Sequence, residues 1–131
     1  MKNYILLAGV SGALSGIASF LYGKIFQENL FVDYSMVITT QGIFIASFVG
    51  CILATLGYML AVKVLPKWGE FIHGFLFAMI TFASLVGVFG VQLPNSDDES
   101  FYFLIYGMAI PMHFFPIIVW QTLKPLFVKR N

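Results

Sequence analysis

The sequence predicts an all-α integral membrane protein, an antiparallel up-down bundle of four transmembrane helices with both termini cytoplasmic. Three observations predict it. Hydrophobic residues make up 60% of the chain, and mean hydropathy is +0.90, outside the range of soluble globular domains. Only 10% of residues are charged, and each falls near the end of an apolar run, as hydrocarbon demands of ionisable groups. Lysine and arginine gather on one flank of those runs.

Crossing the hydrocarbon takes about 20 apolar residues in a helix. Four runs meet this length, over 4–23, 34–62, 71–92 and 101–122, within one domain covering residues 1–131. The first run follows Lys2 and contains small residues at Gly16 and Ala18, a pattern shared with signal peptides. Its apolar stretch exceeds a typical h-region, so a retained helix is expected. The second run is longer than a span requires; tilt, or projection of Thr39, Thr40 and Gln41 into the headgroup region, would accommodate it. The connectors at 24–33, 63–70 and 93–100 carry charges and, in the last two, Pro66 and Pro94. Connectors this short make sequential helices antiparallel neighbours, and continuous apolar runs exclude a β-barrel.

Orientation follows from the retention of positive charge by cytoplasmic loops. Lys2, Lys63, Lys67, Lys124, Lys129 and Arg130 share one flank; Lys24, Glu28, Asp33 and the acidic run Asp97, Asp98, Glu99 share the other. Tyr4, Trp68 and Trp120 fit an inner aromatic belt, and Tyr22, Tyr34 and Tyr102 an outer one.

A net charge of +1 without a basic stripe excludes nucleic acid as a partner. The lipid bilayer is the partner the composition demands. Cys51 is the single cysteine and has no disulfide partner in the chain. No metal-ligand spacing, phosphate loop or nucleophile elbow occurs, so no catalytic residue, metal or cofactor is assigned.

Helices in lipid associate by close packing of small residues. The second run has Gly42, Ala46, Gly50 and Ala54 at one residue per turn, and the first has Ala8, Gly12 and Gly16 flanked by serines. These ladders are read as packing faces within the chain, one of which can double as a contact with a second copy or a membrane partner protein. Gly50→Leu is accordingly expected to disrupt the fold.

Polar residues inside a span are the pointers to function. His113 lies near the middle of the fourth run, on a face shared with Tyr102, Tyr106, Ala109 and Trp120. Pro111 and Pro116 flank it and release the carbonyls of Gly107 and Met112, which predicts a kink. The plainest expectation is a neutral histidine bonded to a serine, a threonine or a released carbonyl; the sharper one is a ligand-contacting or proton-handling group. A haem held by His73 and His113 is disfavoured by a depth difference of about 9 Å. With no Asp or Glu inside a span, a proton-coupled antiporter is disfavoured too. Gly9, Gly12, Ala13 and Gly16 superficially match the first helix of four-helix fluoride channels, yet the arginine, asparagine and serine-threonine run of those channels are missing.

From the second run onward, Leu56, Gly57 and Tyr58, then Ala83, Ser84 and Leu85, then Met112 and His113 followed by an apolar run, form a pattern. It resembles the DUF6069 family of small bacterial four-helix membrane proteins of unknown function. The resemblance implies a bundle in a bacterial inner membrane with a recurrent histidine in its fourth helix and no assigned activity. The expected role is a non-enzymatic structural, accessory or small-ligand-binding membrane component. The alternative is a minimal homo-oligomeric channel or transporter whose pathway is lined by His113, Tyr106, Tyr102, Thr81 and Ser84.

Overall fold

The computed structural model describes residues 1–91 and 99–128. The chain folds as four helices, α1 (Lys2–Leu30), α2 (Thr40–Val64), α3 (Gly69–Phe89) and α4 (Glu99–Phe127), with no strand among the described residues. All four are long and apolar enough to cross a membrane. Gln92, most of the last connector with Asp97 and Asp98, and the basic pair Lys129 and Arg130 lie outside the described residues.

Cross-helix contacts give the direction of each helix. Phe48 and Phe44 of α2 lie against Gly12 and Gly16 of α1. Glu70 of α3 pairs with Lys124 of α4. Asn3 Nδ2 donates to the Phe127 carbonyl at 3.0 Å, so both described ends lie at one end of the bundle. Each neighbouring pair is thus antiparallel, which makes the diagonal pair α2 and α4 parallel.

The first two helices depart from the expected bounds. α1 runs through Lys24 and Glu28, an i,i+4 pair at 3.9 Å, and ends only where Phe31 adopts the left-handed region at φ 53°. α2 begins at Thr40 rather than Tyr34, because the Thr39 hydroxyl caps it by accepting from the Gly42 N–H. Residues 31–39 form a pinned connector instead. Tyr34 N–H donates to Gln27 Oε1 at 2.6 Å, and its phenol donates to the Phe101 carbonyl at 2.7 Å. Asp33 Oδ1 accepts from the Ser35 N–H, an Asx turn that favours this path over another helical turn.

Two buried clusters hold the bundle. Leu7, Cys51, Ala54, Tyr58, Phe77 and Trp120 form one near the termini, and Tyr34, Ile105 and Met108 form the other toward the far end. Trp120 therefore corrects the aromatic-belt expectation. It is fully buried, packed on Tyr58, His73 and Phe77, while Trp68 is exposed.

Candidate functional site

α2 and α3 approach closely at the terminal end. A Cβ on Gly69 would overlap the backbone of Ala61, and His73 packs on Gly57. From Phe77 onward residues of α2, α3 and α4 line a cavity of about 570 Å³. Ala46 and Gly50 of α2, Thr81 and Ser84 of α3, and His113 of α4 line it, with Ser19 of α1 and Ser47 of α2 on its inner wall. Val49 and Ile80, on facing edges of α2 and α3, line it and are 49% and 64% exposed, so the cavity opens sideways between these helices. A second cavity of about 280 Å³ shares Thr39, Ile43 and Met112 with the first and reaches Lys24 and Gln27 at the far end.

His113 is the middle residue of α4, about 21 Å from either end at the helical rise. Its Nδ1 lies 2.8 Å from the Ala109 carbonyl. A carbonyl only accepts, so in the neutral ring Nδ1 carries the proton and Nε2 is left as an acceptor. The bonded carbonyl is one turn back and not one released by a proline. Of the released pair, Gly107 accepts from the Tyr22 phenol at 3.0 Å, a partner on α1 that helix spacing could not reveal. α4 stays helical through Pro111, Pro116 and Pro125.

The hydroxyls of α3 are spent locally. Thr81 donates to the Phe77 carbonyl at 2.9 Å and Ser84 to the Thr81 carbonyl at 2.6 Å, leaving their oxygens as acceptors. Ser19 and Ser47 differ. They are 2% and 3% exposed, line the cavity, and have no hydrogen bond to another described residue. Among the described residues no fully enclosed polar side-chain atom lacks a partner, so both oxygens touch open space, and the cavity they line is the space beside them. No charged side chain among the described residues lines it.

The sequence-predicted residues are only partly brought together. His113, Thr81 and Ser84 share the cavity, whereas Tyr106 packs edge-on against Phe89 with ring centroids 5.2 Å apart, and neither it nor Tyr102 lines the wall. The α2 ladder divides as well. Ala54 is buried, Gly50 lines the cavity where it faces Pro116, and Gly42 and Ala46 line the cavity rather than a helix contact. Gly12 and Gly16 accept the Phe48 and Phe44 rings. His73 lies apart from His113, enclosed by Tyr58, Phe77 and Trp120. No group of three or more His, Cys, Asp or Glu is placed to hold a metal among the described residues. Sequence reading passed over Ser19 and Ser47; their signal was that Ser15 and Cys51, which meet at 3.7 Å, each have a serine one turn farther out.

No family model, curated protein or solved structure matches this chain.

Proposed function

We propose that this chain is a non-enzymatic integral membrane protein, with both termini cytoplasmic, that holds a small apolar molecule in the cavity beside His113. The carrying observation is the cavity itself. Its volume of about 570 Å³ falls within the span of small-molecule sites, its wall is mainly aliphatic, and a few polar groups converge on it. The sideways opening between α2 and α3 suits a ligand that arrives from the acyl-chain region. Membrane residence is supported by an inverted surface: Ile5, Phe103 and Val86 are 70%, 76% and 72% exposed, while Ser11, Ser15, Thr55 and Thr81 are buried. The DUF6069 resemblance, carried by the Leu56, Ala83 and Met112 segments, agrees with a bacterial cytoplasmic membrane and supplies no ligand.

Native mass spectrometry of detergent-purified protein tests this. The wild-type chain is expected to retain a small molecule from the expressing membrane, and Ala46→Phe, which fills the cavity from α2, is expected to lose it. Equal spectra with no retained mass would overturn the reading. A defined oligomer with no retained mass would favour the channel alternative.

A further inference from the structure

The ligand's chemistry is written in the donors and acceptors that meet at one depth. Resting on the proposed cavity function, we propose that the cavity receives a neutral, apolar alcohol whose hydroxyl is held between Ser19, Ser47 and His113. Gly50 and Pro116 touch on the parallel helices α2 and α4, with 3.6 Å between a Cβ on Gly50 and Pro116 Cβ. Ser47 and His113 each precede that contact by three residues, so they stand level. Ser19 joins them through the α1–α2 register, because Ser15 meets Cys51 and both serines lie four residues farther along. Three helices thus bring three residues with uncommitted polar atoms to one level of the same cavity.

These atoms are not alike. Ser19 and Ser47 have unspent hydroxyl protons, while His113 Nε2 only accepts, because Nδ1 is committed to the Ala109 carbonyl. A ligand carbonyl could accept from the serines but would leave Nε2 unpaired. An amide has a donor and an acceptor but separates them. A hydroxyl has both on one atom, so it donates to Nε2 and accepts from a serine. With no charged side chain among the described residues of the wall, a carboxylate, phosphate or ammonium is disfavoured as the buried group, since an unpaired ion in so apolar a site is costly.

Three probes of one length separate the possibilities: 1-tetradecanol, tetradecanal and tetradecane, offered together to the protein in detergent and read by native mass spectrometry. The alcohol is expected to be retained about tenfold over the other two, the discrimination that one or two net hydrogen bonds give. His113→Phe and the Ser19→Ala, Ser47→Ala pair should each level that preference while still retaining all three probes; His113→Gln, which keeps an acceptor, should restore part of it. Unchanged circular dichroism shows each variant folded, and should His113→Phe fail to fold, the serine pair alone decides. Equal retention of the three probes by wild type, above that of Ala46→Phe, overturns the hydroxyl assignment and leaves the cavity reading standing. No retention above Ala46→Phe overturns both.

Discussion

Trp120 is fully buried, and its indole N–H has a single acceptor, the Thr55 hydroxyl at 2.8 Å, which in turn donates to the Cys51 carbonyl. Thr55→Val keeps the shape and removes the acceptor. It is expected to lower stability by about 1 kcal/mol, as an unpaired buried donor costs where lipid offers no substitute. The double variant Thr55→Val, Trp120→Phe should cost less than the two single changes added, which thermal unfolding of all four proteins in detergent will measure. At this scale the sequence placed His113 well inside the fourth helix, and it is the middle residue of α4, but the sequence misplaced Trp120. A tryptophan close to the end of an apolar run is an interfacial anchor only if its helix stops there, and α4 continues to Phe127. Tyr22 was equally hidden: its phenol meets the carbonyl freed by Pro111, a pairing of residues 22 and 107 that only tertiary packing creates.

Between elements, the glycines that permit close approach are not all those the four-residue spacing marked. A Cβ on Gly12 would lie 2.6 Å from Phe48 Cδ1 and 3.1 Å from Phe48 Cα, so Gly12→Ala must push α1 off α2. It is expected to destabilise by about 1–3 kcal/mol, the usual range for overpacking. At Gly50 a methyl meets Pro116 at ordinary contact distance, and Gly50→Ala should be neutral or stabilising by up to about 1 kcal/mol through its gain in helix propensity. Unfolding in graded SDS compares the two; equal losses would contradict the assignment. Gly69, which no ladder included, is held against Ala61 where α2 turns into α3. Spacing along one helix tells which residues share a face, but not which neighbour that face meets, so Gly42 and Ala46 could pass for packing residues while lining a void. Residues 34–39 of the connector were read as helix for a related reason, their apolar members continuing the run of α2. Burial pushes the Tyr34 phenol above the ordinary tyrosine value of about 10. A group raised on folding contributes stability that is complete below its unfolded value and disappears as pH climbs through the folded one. The phenol's bond to Phe101 should therefore fail above about pH 10, with ultraviolet difference titration of wild type against Tyr34→Phe showing the late-ionising tyrosine. Asp33 has the opposite sign. Its carboxylate, held below the usual range by the Ser35 N–H, supports the turn above about pH 4 and loses it in acid.

Over the whole molecule, four helices and their antiparallel order were legible because length, hydropathy and short connectors each constrain them independently. The cavity was not, since its wall is assembled from residues of all four helices, and spacing within one helix carries no record of a gap left between several. The proposed orientation rests on charge: Lys2, Lys63, Lys67 and Lys124 lie at the end that carries the termini, and Lys24, Glu28 and Asp33 lie at the other. The native cysteine makes this readily testable, because Cys51 is fully buried between Ser15 and α4 and should resist maleimide until the protein is denatured. A second cysteine can then be placed on either connector, at Ser35 or at Lys67, both exposed. In intact cells a membrane-impermeant maleimide should label Ser35→Cys and spare Lys67→Cys until the membrane is opened. The reverse pattern would invert the topology and leave the bundle intact, whereas labelling of both in sealed cells would deny that the two connectors lie on opposite sides of a membrane. The same pair bears on the ligand: with Ser35 outside, the smaller cavity beneath residues 35–40 faces the outer leaflet. Label at Ser35→Cys should then slow uptake of 1-tetradecanol by that route, while leaving entry between α2 and α3 unaffected.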